Sequence, residues 1–215
     1  MTREAHAVVQ DLLSATEEKA RDSLAFELSE LLYDAKTIEV LEPLYQSSDP
    51  DHARRLAAIL YEHGDRSDEF VGWIDAYLDH DDGNVRYWAA GCAAELDPVR
   101  YPETIARMLA KLYDIPPVAA GVTAYLSWVD IDDLDRARAH LSGELRELIA
   151  WLQEGDYKDW ERLYREDGVA ALVAVAALGR ELPTEPERLE NVRESDDEAV
   201  ALAARRISER VRPYW

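Results

Sequence analysis

The sequence is poor in most of the features that would mark an active site or a route out of the cell. One cysteine, Cys92, stands among 215 residues. No disulfide can form within the chain, and the composition suits a reducing, cytoplasmic setting. Ala89, Ala90, Ala93 and Ala94 surround Cys92. They predict a small core residue rather than a nucleophile, because no neighbouring histidine lowers the thiol pKa. No stretch approaches the roughly 18 consecutive apolar residues of a membrane span. The opening Met1-Thr2-Arg3-Glu4-Ala5-His6 has no basic region followed by an apolar run, so a soluble protein without a classical export signal is expected. The nine glycines are scattered, and there is no phosphate loop, dinucleotide-binding glycine motif or nucleophile elbow.

Positive charge is also short. Lys and Arg number 24 against 45 Asp and Glu, a formal charge of −21, and only four of the 24 are lysine. Such an excess sets up a repulsive field toward phosphates and anionic lipid, which excludes a nucleic-acid or membrane-surface binder. The chain is nevertheless 47% apolar and 9% aromatic, so it can bury a core and is no disordered acidic tail.

Apolar residues recur three and four apart, as in Leu24, Leu28, Leu31, Leu32 and in Leu56, Ile59, Leu60, and no segment alternates with period two. Helices of about 12–17 residues and no sheet are predicted. Turn signals separate them at Ser48-Asp49-Pro50-Asp51, His63-Gly64-Asp65, Asp81-Asp82-Gly83-Asn84, Asp97-Pro98, Ile115-Pro116-Pro117, Glu154-Gly155-Asp156, Leu182-Pro183-Thr184 and Ser195-Asp196-Asp197. The helices repeat. Asp49-Pro50-Asp51-His52-Ala53-Arg54-Arg55-Leu56-Ala57-Ala58 lies over Asp81-Asp82-Gly83-Asn84-Val85-Arg86-Tyr87-Trp88-Ala89-Ala90 at a spacing of 32 residues, without a gap. The same step reaches Leu24-Ala25 backward and Ala120-Gly121 forward, and Ser195 to Ala204 shows the pattern once more.

This pattern resembles the HEAT repeat, above all its short bacterial form, in which an Asp-rich turn precedes Val-Arg and an Ala-Ala helix. The resemblance covers residues 17–130 well, 195–211 moderately and 131–194 poorly. It implies an all-α fold: a right-handed α-α superhelix of about six helix pairs forming a single domain over 1–215, irregular in its second half. There Leu134 to Leu152 reads as one long helix, and Trp160 to Tyr164 with Val169 to Leu178 as a pair. The resemblance carries a fold, not an activity.

Enzymatic readings find few residues to stand on. HEAT-like di-iron hydroxylases are similar to one another in paired His-Glu dipeptides, whereas His6, His52, His63, His80 and His140 precede Ala, Ala, Gly, Asp and Leu here. They read as surface histidines. Asp79-His80-Asp81-Asp82-Gly83 departs from a calcium loop at its fifth position, Gly83, and at its twelfth, Ala90, where a bidentate Glu is needed, so it reads as a capping turn. HEAT-like DNA glycosylases grip DNA in a basic groove, which the acids around Arg54, Arg55 and Arg86 preclude. Arg54 and Arg86 are expected to pair with turn carboxylates of an adjacent repeat. Phycobiliprotein lyases share the short repeats and nothing further. No catalytic residue, metal ligand or cofactor site is assigned, and a non-enzyme is expected.

The acids cluster at Asp49/Asp51, at Asp79/Asp81/Asp82, at Asp130/Asp132/Asp133/Asp135 and at Glu194/Asp196/Asp197/Glu198. A fixed period sets the first two clusters side by side along one edge. Helix capping and solubility account for one or two acids per turn; a surface that pairs with a basic partner accounts for more. Trp88 and Trp151 are expected in the core. Tyr87, which the 32-residue spacing matches to Arg55, is expected to project with Arg55 from the second-helix layer. The candidate partner-binding set is therefore Asp49, Asp51, Arg55, Asp79, Asp81, Asp82, Tyr87, Asp130, Asp132, Asp133 and Asp135. The partner expected is a basic protein, and the chain is similar to small, acidic, all-helical immunity proteins that neutralise bacterial toxins. An inhibitor that mimics DNA is a related option. A HEAT-like enzyme or enzyme subunit, and a general interaction scaffold, are the competing readings.

Overall fold

Helix N-termini leave backbone N–H groups unpaired, and in this chain aspartate and proline answer that need at regular intervals. A computed structural model describes residues 2–33, 38–154, 160–166, 168–181 and 186–211; at 2–4, 186 and 210–211 only the backbone is considered. Among the described residues there are α-helices and short 3-10 segments and no strand. The chain falls into two compact units, Met1–Glu95 and Leu96–Trp215.

The first unit holds α1 (Thr2–Ser14), α2 (Glu18–Leu32), α3 (Glu42–Tyr45), α4 (Pro50–Glu62), α5 (Val71–Leu78) and α6 (Gly83–Ala93). These form three pairs, α1 with α2, α3 with α4 and α5 with α6, while α2, α4 and α6 pack in succession. The first members are often shorter than the predicted 12–17 residues, because tight 3-10 segments such as Gly64–Glu69 take over part of their length.

The caps locate the repeat. Glu17, Asp49, Asp82 and Ile115 stand at the N-cap positions of α2, α4, α6 and α8 (Pro116–Leu126), so the steps are 32, 33 and 33 residues. The gapless alignment of Asp49 with Asp81 is thus one residue out of register over α6. Asp82, immediately before Gly83, makes the cap, accepting from the Asn84 N–H at 2.8 Å as Asp49 accepts from the Asp51 N–H at 2.9 Å. In this register Leu56-Ala57-Ala58-Ile59-Leu60, Ala89-Ala90-Gly91-Cys92-Ala93 and Val122-Thr123-Ala124-Tyr125-Leu126 share one burial pattern, with only the middle residue partly open. Arg54 corresponds to Tyr87, not to Arg86, and Arg55 corresponds to Trp88, not to Tyr87.

Small middle residues let neighbours close in. Tyr61 of α4 lies on Gly91, where an added Cβ would come within 2.3 Å of its ring, and its ring centroid is 4.9 Å from that of Trp88. Trp88 is therefore covered on one side and half-buried, and Trp151 is half-buried too, so neither is the core residue that the sequence suggested.

The second unit holds α7 (Pro102–Leu109), α8, α9 (Asp135–Ala139), α10 (Gly143–Glu154), α11 (Trp160–Tyr164), α12 (Gly168–Arg180), α13 (Pro186–Val192) and α14 (Glu198–Val211). The long helix expected over Leu134–Leu152 is in fact broken. Gly143, at φ +57°, takes the left-handed conformation that a helix cannot continue through, so α9 ends at Ala139 and α10 starts afresh at Gly143. The expected pair at 160–178 is present as α11 and α12. In α12 every residue from Val169 to Leu178 is buried, the mark of a central helix. It packs against α8 and α14, which also pack on each other. The Arg206 guanidinium donates to the Pro117 carbonyl at 3.0 Å across the α8–α14 contact. Asp197 caps α14 by accepting from the Ala199 and Val200 N–H groups. The turn at Leu182-Pro183-Thr184, the end of the turn at 154–156 and the terminal Pro213-Tyr214-Trp215 lie outside the described residues.

Within this bundle Gly179 of α12 has no room for a side chain: a Cβ there would lie 2.7 Å from Ser127 Cβ and 2.8 Å from Ile207 Cγ2. Overpacking of this kind costs about 1–3 kcal/mol, more than the helix propensity of alanine returns, at most about 1 kcal/mol. Gly179→Ala is expected to lower the Tm followed by circular dichroism by a few degrees, and an unchanged Tm would show that α12 and its neighbours shift apart without cost.

Candidate functional site

The acids at the α4 and α6 caps are tied into a ladder. The Arg21 guanidinium donates to Asp49 and to Asp51, each at 2.9 Å. Arg54 pairs with Asp51 at 3.1 Å and with Asp82 of the next repeat. Arg55 donates to Asp22 on α2 at 2.8 Å and to the Asp51 carbonyl at 3.3 Å. The side-by-side placement of Asp49/Asp51 and Asp82 expected from the period is thus realised, and the Arg54 pairing with it. The Arg86 guanidinium donates to the His80 and Asp81 carbonyls of its own turn.

This arrangement sets the charge states of the caps. The Asp51 N–H, followed by His52 and Arg21, holds the Asp49 carboxyl below its ordinary value against some burial. At Asp82 partial burial works the other way, but Arg54 and the Asn84 N–H together outweigh it and the carboxyl is also held low. Both acids are ionised at neutral pH and already spoken for by cations of the same chain.

The remaining candidates are scattered over both units. Asp79 and Asp81 are exposed at the turn before α6. Arg55 is 12% exposed at its side chain and braces α2 against α4. Tyr87 is half-buried, its ring 4.8 Å from Trp88. In the second unit Asp130 accepts from the Asp132 N–H at 3.2 Å, and Asp135 accepts from Arg138 and from Gln153. Asp132 and Asp133 are exposed beside them.

Two histidines expected at the surface are buried, His52 at 3% exposure and His63 at 2%. His63 meets Ser29 of α2, and His52 meets Ser47 in the turn before its own helix. His63 Nε2 lies 3.1 Å from the Ser29 carbonyl, which can only accept, so Nε2 carries a proton. The Ser29 hydroxyl donates to Glu62. Serine, histidine and carboxylate meet here, but the imidazole has no lone pair turned to the hydroxyl and cannot act as its base. His52 Nδ1 is 2.7 Å from the Ser47 hydroxyl, and its Nε2 is 3.8 Å from Asp49. Among the described residues no group of three His, Cys, Asp or Glu side chains is placed to hold a metal ion. A groove of about 620 Å³ runs between α7 and the start of α10, lined by Glu103, Arg107, Tyr113, His140 and Glu144, with the Tyr113 hydroxyl 3.5 Å from Glu144. Its charges are mixed, and Ser142 lines it as well.

Sequence reasoning missed the exposed aromatics. Phe26, Tyr33 and Tyr61 in the first unit, and Tyr113 and Trp128 in the second, are all more than two-fifths exposed. A signal was present for Phe26, since it stands at the repeat position that holds Ala58, Gly91 and Ala124 in the later helices.

Cys92 is 1% exposed, and burial pushes its thiol up to about 12. It is expected to resist alkylation at pH 8 until the protein unfolds; rapid labelling of the native protein would contradict this placement. The low folded-state pKa of Asp82 has a stability sign. The ion-pair contribution is complete above the ordinary carboxylate value of 3.8 and is lost as pH falls through the lower folded value. Asp82→Asn keeps a capping side chain but not the charge, so its deficit against the parent should be present at pH 7 and vanish on acidification. Asp82→Ala should cost about 1 kcal/mol more through the lost cap. Urea unfolding at several pH values checks both, and a deficit independent of pH would show that the pairing with Arg54 contributes nothing.

No family model and no curated protein matches the chain. Among solved structures it is similar to a designed armadillo repeat protein, YIII(Dq)4CqI, at 14% identity and TM-score 0.50, over 95% of this chain and 98% of that one. It is also similar to an engineered protein of the Northeast Structural Genomics Consortium, at 18% identity and TM-score 0.50, over 98% and 97% of the two chains. At these identities the likeness concerns the fold alone, and the fold is an all-α helical-repeat solenoid.

Proposed function

We propose that the protein is a non-catalytic binding protein whose acidic helical-repeat surface holds and neutralises a basic protein, most specifically an immunity protein against a bacterial toxin of nuclease type. The observation that carries this reading is the size of the charge excess. Capping and internal pairing employ Asp49, Asp51, Asp82, Asp130, Asp135 and Asp197, yet the chain keeps a formal charge of −21, and acids such as Asp81, Asp132 and Asp133 are exposed at the turns. A nuclease presents cations to its substrate, and an acidic surface is complementary to them. The helical-repeat fold supports a binding role, since such arrays offer broad surfaces for partners.

The partner is sought in the adjacent reading frame. Co-expression with a toxic product of that frame should restore growth, and the affinity of the two proteins should fall by about tenfold or more between low and high salt. Asp81→Lys with Asp132→Lys and Asp133→Lys should weaken the complex further while leaving helicity intact. Salt-independent affinity, or full binding by the triple variant, would sink the acidic-surface reading.

A further inference from the structure

In α4, α6 and α8 the residue nine positions past the cap is small, Ala58, Gly91 or Ala124, and partly open. In α2 the same position carries Phe26, which is 67% exposed. Leaving a phenylalanine ring this exposed forgoes most of the free energy that its burial would supply. Its neighbours at helical spacing are Asp22, Glu30 and Tyr33, all exposed, with Tyr33 at 65%. At about 100° per residue these four side chains fall within roughly 80° of one another, a face on which acid and aromatic alternate and which the exposed Lys19 joins at the start of the helix. Two of them are held in place: Asp22 accepts from Arg55 at 2.8 Å, and the Tyr33 ring centroid is 4.6 Å from that of His63. Glu27 flanks the row and is also exposed.

The charge around this face selects its occupant. Residues 1–95 hold 21 of the 45 carboxylates but 8 of the 24 Lys and Arg, so −13 of the −21 belongs to the first unit. A second copy of the chain would bring two such fields together, and nucleic acid or anionic lipid would be repelled in the same way. A segment carrying both cations and apolar side chains meets neither obstacle. Its ammonium or guanidinium groups can lie over aromatic faces and pair with carboxylates one helical turn away.

We propose that the Asp22-Phe26-Glu30-Tyr33 face of α2 is the docking site for a cationic amphipathic segment of a partner protein. Lys or Arg of that segment lies over Phe26 and Tyr33 and pairs with Glu30 and Glu27, while its apolar side chains cover the rings. This site rests on the binding-protein reading above and adds to it a location that the turn acids do not include.

A labelled helical peptide made only of leucine and lysine serves as probe, with fluorescence anisotropy as readout and a leucine–glutamate peptide as control. The parent protein should bind the lysine peptide and not the glutamate one. Phe26→Ala/Tyr33→Ala should weaken binding by about tenfold with the helical circular-dichroism spectrum retained, and Asp132→Asn/Asp133→Asn should change it less than about twofold. Undiminished binding by the α2 variant overturns the proposal, as does an equal loss in both variants. If the loss follows Asp132 and Asp133 instead, the acidic-surface reading stands and the α2 site falls. No binding of the lysine peptide by the parent protein overturns both.

Discussion

Everything in the first unit hangs on how a helix start is satisfied when the chain is acidic. Aspartate at the cap answers the orphan N–H groups and the positive end of the helix dipole. Repeating that device places carboxylates from successive repeats beside each other, where they repel. Arg21, Arg54 and Arg55 resolve the conflict by reaching from one repeat to the acids of another, so local capping and repeat-to-repeat cohesion use the same side chains. In each pair at least one partner is a third or more exposed, which keeps its own contribution modest. The arginines matter more as spacers that keep the caps in register.

Helical character, the turn positions and the repeat itself were legible because they rest on local chemistry: period, capping residues and proline. The exact register was not. Asp81 and Asp82 are equally good caps in a sequence, and only packing decides between them; Leu56 and Ala89 must both face inward, which shifts the step from 32 to 33 residues. The consequences spread to the candidate site, because Arg55 and Tyr87 exchange their supposed equivalence for other partners. The buried His52 and His63 were illegible for a related reason. Nothing near His63 in sequence announces the distant Ser29 as its hydrogen-bond partner, and the nearby Ser47 reaches His52 only through the turn before α4.

Small residues play two roles that look identical in a sequence. Gly91 is small because Tyr61 lies on it, and Gly179 because Ser127 and Ile207 press against it. In α2 the corresponding row is released from that constraint, and a large aromatic stands there. Repeat position thus separates residues shaped by packing from residues that packing leaves unexplained, a distinction that burial alone does not make.

The two units also differ in how far along the chain their contacts reach. In the first, each helix meets partners close in sequence, so its core can assemble progressively as the chain lengthens. In the second, α8 is buried against α14, with Arg206 binding the Pro117 carbonyl across 89 positions. Contacts of such separation carry a larger loop-closure entropy and slow folding. During synthesis α8 and α12 can pair with each other, but the faces they turn to α14 stay uncovered until the last described helix has left the ribosome. Transiently exposed apolar surface of this kind is where aggregation starts, so that interval is the vulnerable one in the folding of the second unit.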